Sequence, residues 1–560
     1  MFSILHKQSS RRRLLLFLGI SAFFFVGFRT ADKYFEISRN MDIFGKVFTE
    51  VNTVYVDETN PTEMMQKGIN SMLESMDPYT NFFPESMIEQ SMVLNSGQLS
   101  GIGAEIGMRR GQILILELFQ DGPADEAGLR VGDQVVKIDD EVIGNEGRSL
   151  DEAKNLLQGE SGTSITLGIR RAGEPVPRSV VIKRGGNAAQ QENVPFSGMV
   201  NNEIGYILLN NFMGSAGNEV ASALKNLKND HPELKGVILD LRGNPGGRLD
   251  EAVNVCNVFM PPGTYITQMK GRTSSSNQKF STMLPAVDTE IPLVVLVNEN
   301  SASASEIVSG AVQDLDRGVI LGRRSYGKGL VQNVRPLTYN TQMKITIARY
   351  YIPSGRCIQS IDYFHRNADG SPGHVPDTAV TAFETQNGRI VYDGGGILPD
   401  VIVEEPAELP VISALREQGL LFDFVTQFSA NNDTIPGPRI FQVDNGMYQD
   451  FVDFVQAKGF TFNTGSEAKL AELEKALASE DYEEMVNGEV GAIRKEIARL
   501  KVADLNRHQE QIAEALRKSI VSRYFFKQGL LESGFAFDRD IQQAVRVLNN
   551  EPEYARLLGR

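Results

Sequence analysis

The chain has few of the residues on which common hydrolytic and metal sites depend. Its 560 residues include two cysteines and five widely scattered histidines. No CxxC, HExxH or related spacing occurs, so the usual zinc sites are excluded, and neither a metal nor a cofactor is expected. Cys256 and Cys357 stand 101 residues apart. Cys256 sits in an apolar helical run, AVNVCNVFM, and both thiols are expected to pack as small hydrophobes. No Gly-Lys-Ser/Thr completes a phosphate-binding loop. There is no low-complexity tract, and 41% hydrophobic with 23% charged residues is a globular composition. The length exceeds one ordinary core and implies three or four units.

Positive charge is scarce except at one end. The net charge is −15, of which the first thirty residues contribute +5 and no acid, leaving a body of −20. Such a body repels phosphate backbones, so nucleic acid is not an expected partner. The N-terminus reads RRRLLLFLGISAFFFVGFRT, with fifteen uncharged, mostly apolar residues from Leu14 to Phe28. The basic flank and terminal position suit an export signal or anchor, and no clean A-x-A cleavage site follows. The expectation is a retained anchor with its positive end in the cytoplasm and an exported body.

Residues 37–95 read as helical, ending in the turn MDPYTNFFPE. From about residue 96 the pattern becomes short strands punctuated by glycine: GIGAEIGMRRGQILILELF, then DGPADEAGLRVGDQVVKIDDEVI, a helix at SLDEAKNLLQG and a strand at GTSITLGIRR. Strands capped by two helices describe a small, partly open barrel. Between 200 and 405, near-continuous apolar strands (IGYILLNNF, GVILDLR, PLVVLV, GVILG) alternate with helices, which is an α/β layer buried on both faces. Beyond 406 the chain turns helical and strongly charged, and is expected to be a solvated appendage or dimerisation module.

Two strand-to-helix junctions carry unusual chemistry. In ILDLRGNPGGRLDEAV, the turn Gly243 to Gly247 delivers backbone N–H groups at a helix N-terminus, where negative charge is favoured. In NENSASASE, serines stand at 301, 303 and 305 with no histidine within fifty residues on either side. Ser303-Ala304-Ser305-Glu306 fits a capping box, which alone would imply no chemistry. Downstream, in RRSYGKGLVQN, Lys328 stands between two glycines in an otherwise apolar and aromatic neighbourhood. A desolvated lysine can act as a base in place of histidine.

DGPADEAGLRVGDQVVKIDD resembles the core of a PDZ domain, and LSGIGAEI (99–106) falls where PDZ domains carry their carboxylate-binding loop. That resemblance assigns peptide binding to Leu99, Ser100, Gly101, Ile102 and Gly103. SASASEIVSGAVQD, GRRSYGKGLVQ, ILDLRGNPGG, TIARYYIPSGRCIQ and GILPDVIV, with MDPYTNFF upstream, together resemble the C-terminal processing peptidases, or tail-specific proteases. The resemblance covers about residues 40–405. It implies Ser303 as nucleophile, Lys328 as base and Gln332 as its support. It places the oxyanion hole at Ala304 with Gly246 or Gly247, leaving open which glycine. On an extended strand, the four-residue spacing would put Lys328 and Gln332 on one face.

The implied architecture is an α/β core of the ClpP/crotonase type with an inserted PDZ domain and flanking helical regions. The segments are an anchor or signal (1–36), an N-terminal helical region (37–95), the PDZ domain (96–187), the Ser-Lys protease core (188–405) and a C-terminal helical domain (406–560). The expected partners are proteins or peptides with accessible C-terminal tails, and a homodimer through the helical regions is also considered. The expected location is the periplasmic side of a bacterial inner membrane. Two alternatives are weighed. A catalytically inactive PDZ scaffold would be expected to lose a member of the Ser-Lys-Gln set. A crotonase-type acyl-CoA enzyme would be cytoplasmic and lack the insert.

Overall fold

The apolar runs of the α/β segment become strands whose alternate side chains serve two different cores. The computed structural model describes residues 34–88, 99–144, 147–185, 192–367, 369–374, 380–405 and 407–560. The expected anchor over Leu14–Phe28 lies outside the described residues. Among the described residues, no helix is long and apolar enough to cross a membrane. The residues up to Phe82 and those from Phe83 onward form two compact units.

The first unit contains helix α1 (34–54) and helix α2 (Pro61–Glu74). Asn60 caps α2 by accepting the N–H groups of Thr62 and Glu63, and Pro61 occupies the first turn, where no amide partner is needed.

The second unit begins with a small antiparallel sheet in strand order β1 (Ala104–Arg109), β2 (Gln112–Leu118), β3 (Gln134–Ile138), β4 (Ser164–Arg170) and β5 (Arg178–Lys183). Helix α3 (Leu150–Leu157) starts at a true capping box, Ser149 with Glu152, and lays Ala153 and Leu157 on this sheet beside β1. Two alternating strands around the Arg110-Gly111 turn, and a helix over 150–157, match the sequence expectation.

The central sheet has six strands in the order β6 (Phe196–Met199), β7 (Ile204–Leu208), β8 (Gly236–Asp240), β10 (Leu293–Val297), β11 (Val319–Gly322) and β14 (Val401–Ile402). Only the β6–β7 pair is antiparallel. Helices α4 (Ala216–Asp230), α5 (Leu249–Phe259) and α6 (Ala304–Asp314) supply the crossovers. A second sheet pairs β9 (Tyr265–Gly271), β12 (Leu330–Pro336) and β13 (Gln342–Tyr351), with β13 between the other two.

Strand alternation divides the central sheet between two cores. Ile207, Val237, Leu239, Val295 and Ile320 face the cluster built with α5 and α6. Tyr206, Ile238, Val294, Leu296 and Leu321 face the opposite way, onto Phe535, Ile541, Ala544, Val547 and Leu548. Those last residues come from the C-terminal region, after helices α7 (Pro410–Glu417), α8 (Leu420–Asn431), α9 (Asn445–Ala457), α10 (Gly465–Ser479), α11 (Glu483–Arg507) and α12 (Gln509–Gly534). Helix α13 (Arg539–Leu548) and helix α14 (Glu551–Leu557) follow them. The expectation of a solvated appendage is corrected here. Helix α13 is a wall of the α/β layer, because a sheet buried on both faces needs a second cover.

Polar contacts reinforce that wall. Arg242 after β8 reaches Asp538 and Asp540 at 2.9 Å, and the Tyr554 hydroxyl accepts the Leu293 N–H at 2.9 Å. The rest of the helical region has its own core, including Leu415, Val425, Phe451 and Leu516. It also holds the small β-domain. Arg109 and Arg523 both stack on Phe422, at 4.4 and 4.3 Å, and Arg110 pairs with Asp423 at 2.8 Å. Phe526, where α12 kinks with φ +54°, packs against the β-domain core.

Candidate active site

The segment between β10 and α6 separates its three serines by their hydrogen bonds. Ser301 and Ser305 are fully buried and satisfied. Ser301 Oγ donates to the Leu241 carbonyl at 2.8 Å and accepts the Asn298 N–H at 2.9 Å. Ser305 Oγ donates to the Asn244 carbonyl at 2.9 Å. Ser303, between them, is the only partly exposed one of the three.

Its backbone is not that of an ordinary helix cap. Ser303 has φ +56° and ψ −111°, and the Ser305 N–H donates to the Ala302 carbonyl at 3.2 Å. That is the geometry of a type II′ turn with serine at the position glycine normally takes. A conformation so rarely populated costs roughly 1–3 kcal/mol and must be held by its surroundings. The capping-box expectation is therefore met in position but not in conformation.

Two buried side chains do the holding. Asn244 joins the glycine turn to the serine turn. Its carbonyl accepts the Ala302 N–H at 3.0 Å, its Nδ2 donates to the Leu209 carbonyl at 2.6 Å, and its Oδ1 accepts the Gly246 N–H at 2.9 Å. Glu306, with no exposed surface, collects four donors: Ser303 N–H at 2.8 Å, Lys328 N–H at 2.8 Å, Gly327 N–H at 2.6 Å and Ser325 Oγ at 2.6 Å. The amides of Ser303 and Lys328 bond the same carboxylate oxygen, so the two backbones lie within two hydrogen-bond lengths of each other. Burial pushes the Glu306 carboxyl up, and these hydrogen bonds pull it back. Neither Asn244 nor the bridging role of Glu306 was legible in sequence, since a turn asparagine and a capping glutamate already had ordinary explanations.

Lys328 is half-buried, and its ammonium is pulled below the ordinary lysine value. Burial is the main cause, and repulsion from Lys344 adds to it, while Glu306 opposes. Gln332 donates from Nε2 to Thr346 Oγ1 at 3.3 Å across a bulge in the β12–β13 pair. Lys328 precedes β12, with its N–H on Glu306 and the next N–H on the Gln359 side chain at 2.7 Å. Strand alternation therefore does not govern the Lys328–Gln332 relation, and that part of the sequence argument is corrected.

The glycine turn distinguishes its two members. The bridge to Phe212 uses the Gly246 carbonyl and the Arg248 N–H, and the Gly246 N–H is taken by Asn244. Among the described residues, the Gly247 N–H and the Ala304 N–H donate to no protein group. A Cβ on Gly246 would stand 2.8 Å from Ser303 Cβ and 2.9 Å from Ala304 N, so only glycine lets the two turns approach.

In the β-domain, Leu99 and Ser100 pair with Glu160 and Gly159 and are occupied as a short strand. The loop proper follows. The carbonyls of Gly101, Ile102 and Gly103 accept N–H groups from Gly185, Ala124 and Phe119, at 3.3, 2.8 and 3.0 Å. In a trans peptide the N–H opposes the C=O, so the amides of Ile102, Gly103 and Ala104 turn the other way. Cys256 is buried and Cys357 half-buried, and both are free thiols. Among the described residues, no cluster of metal-ligating side chains occurs.

Comparison with known proteins places these features. Residues 203–363 match peptidase family S41, 120–171 match the PDZ domain, and 411–548 match the C-terminal helical domain of probable PDZ-proteases. The carboxy-terminal-processing protease of Bartonella bacilliformis is 34% identical over 365 residues, covering 65% of this chain and 75% of its own. The carboxy-terminal processing protease CtpB of Bacillus subtilis is 29% identical over 330 residues, covering 59% and 68%. A solved structure of a photosystem II D1 C-terminal processing protease is 25% identical over 64% of this chain and 87% of its own, with a TM-score of 0.36. An S41 core, a PDZ domain and a C-terminal helical domain in one chain, with a relative this similar over most of its length, lead to one conclusion: the chain belongs to the carboxy-terminal-processing proteases of peptidase family S41 and is a serine-type endopeptidase.

Proposed function

We propose that this endopeptidase is exported, binds the C-terminal tails of substrate proteins through its PDZ domain, and cleaves them with a Ser303–Lys328 dyad. One observation carries the reading: the amides of Ser303 and Lys328 are clamped on one buried carboxylate oxygen of Glu306. Neutral Lys328 takes the Ser303 proton, and Ser303 Oγ attacks the scissile carbonyl. The Ala304 and Gly247 amides receive the developing oxyanion, each worth ~10²–10³ in rate. The lysine then protonates the leaving amine, and water releases the acyl group. Gln332 supports the lysine, and Glu306 positions both residues without touching substrate.

Tail recognition rests on the three amides turned outward at 102–104, which suit a terminal carboxylate, with β1 as the edge for β-augmentation beside α3. Export rests on the basic-then-apolar N-terminus, with the body on the periplasmic side of the inner membrane, anchored or released. An inactive scaffold is disfavoured because Ser303, Lys328 and Gln332 are all present.

The test is cleavage of an unstructured peptide by single-serine variants. Ser303→Ala is expected to abolish turnover in a folded protein, whereas Ser301→Ala and Ser305→Ala lose stability first. Full activity in Ser303→Ala together with loss in either neighbour would reassign the nucleophile.

A further inference from the structure

The glycine turn and the Lys328 loop each open on an arginine, and one carboxylate takes both. Arg242 follows β8 and stands five residues before Gly247, while Arg323 follows β11 and stands five before Lys328. The two strands lie on either side of β10, which leads to Ser303. Asp540, in the first turn of α13, places its Oδ2 2.9 Å from Nη1 of Arg242 and 3.6 Å from Nη1 of Arg323. An acid in the first turn of a helix ordinarily faces solvent and serves the helix dipole. This one is 5% exposed and turned onto two cations.

The remaining acids around these arginines are arranged differently. Asp240 and Asp538 pair with Arg242 alone among the described residues, at 2.6 and 2.9 Å. Arg323 also reaches Glu299 at 3.1 Å and Glu405 at 2.9 Å, but both glutamates are largely exposed, where an ion pair contributes little. Both loop roots are also fastened to the segment that carries Ser303. The Gly243 N–H donates to Asn298 Oδ1 at 2.9 Å, and the Arg323 N–H donates to the Val297 carbonyl at 3.0 Å. Without a negative charge at Asp540, two little-screened guanidinium groups would face each other across this segment and repel.

We propose that Asp540 is a positioning residue for catalysis, holding the glycine turn and the Lys328 loop at one spacing through Arg242 and Arg323. The inference rests on the proposed Ser303–Lys328 dyad. Glu306 gathers backbone amides within the site, whereas Asp540 gathers the side chains at the roots of its loops. The bridge works by charge, so a substitution that keeps its shape still breaks it. Helix α13 thereby takes part in the reaction as well as covering the sheet.

The test measures cleavage of an unstructured peptide by the full chain, with kcat and KM determined separately. Asp540→Asn is expected to lower kcat about tenfold and leave KM within about twofold. Val547→Ala, which thins the buried contact of the same helix with the sheet, should lower the thermal transition at least as far and keep kcat below that transition. Adding Arg323→Gln to Asp540→Asn removes one of the two facing cations and should restore part of the lost kcat, whereas a merely structural role makes the losses add. An unchanged kcat in Asp540→Asn, additive losses in the double variant, or an equal fall of kcat in Val547→Ala would each overturn the proposal. Should Asp540→Asn not fold, Arg323→Gln alone carries the test: a several-fold loss of kcat is expected, and no loss overturns it. Ser303→Ala keeps the two readings apart. Its full activity would remove the dyad, while its inactivity beside an unimpaired Asp540→Asn would remove only the role of Asp540.

Discussion

Two backbone turns in this molecule are proposed to present N–H groups to a substrate oxygen, and they are held in different ways. The turn at Ser303 and its companion at Gly246 are joined through the Asn244 backbone carbonyl and braced by two buried side chains, Asn244 on Gly246 and Glu306 on Ser303, which keep a serine in a glycine conformation. The PDZ loop at 101–103 is fixed by backbone hydrogen bonds to Gly185, Ala124 and Phe119 and by the buried Ile102 side chain, with no carboxylate bridge of the Glu306 kind among the described residues. In the proposed mechanism the first meets a charge that develops at one place in a transition state, where misplacement by 1 Å can cost 10²-fold. The second, in the proposed reading, accepts a carboxylate already present on tails of many sequences.

The comparison can be broken by substitution, beginning at the catalytic end. Lys328→Ala should reduce kcat/KM on an unstructured peptide by more than 10³-fold, with an unchanged thermal transition. If the rate held, the base would lie elsewhere. Glu306→Gln keeps the shape of the bridge but removes an anionic acceptor shared by four donors. About 10²-fold in kcat should be lost, with KM little altered. A loss confined to thermal stability would reduce Glu306 to a structural cap.

At the recognition end the effect should be smaller and of another kind. Gly103 has φ +75°, and a Cβ there would stand 2.9 Å from Pro123 Cδ. Gly103→Ala should weaken binding of a tail peptide by about tenfold and leave the cleavage of short, carboxyl-amidated peptides as it was. Equal loss on both substrates would mean that the loop does not read a terminus. The smallest effect concerns pH. Because Lys328 is held below its ordinary value of about 10.4, the basic form gains population as pH rises, and kcat/KM should climb along a limb below that value. Removing the like charge with Lys344→Gln favours protonated Lys328, so the limb should move to higher pH. Activity near neutrality should fall a few-fold and recover in alkali. A limb that stays in place would remove Lys344 from the account.

Much of this was visible in the residues themselves. The strands and helices of the α/β layer follow from uninterrupted apolar runs, and the PDZ sheet from strands punctuated by glycine. Ser303 and Lys328 stood out through motif order and through the absence of histidine. What escaped was whatever depends on distant residues meeting. A glutamate three positions after a serine reads as a cap, and nothing local says that Lys328, 22 residues beyond Glu306, will share its carboxylate. The positive φ of Ser303 escaped because glycine, the usual sign of that geometry, is replaced by the residue proposed to carry the chemistry. The apolar face of α13, with Ile541, Ala544, Val547 and Leu548, was hidden among charged helices and read as solvated.

That last feature sets a schedule for synthesis. The strand that leads to Ser303 ends at Val297, while the helix that closes the far side of its sheet begins at Arg539. At ~5–20 residues per second, a ribosome needs on the order of 10–50 s to cover the interval. During that time one face of the central sheet has no lid, and the α/β layer cannot reach its final packing. The apolar residues of that face, Tyr206, Ile238, Val294 and Leu296 among them, therefore wait for the last helices before they are covered.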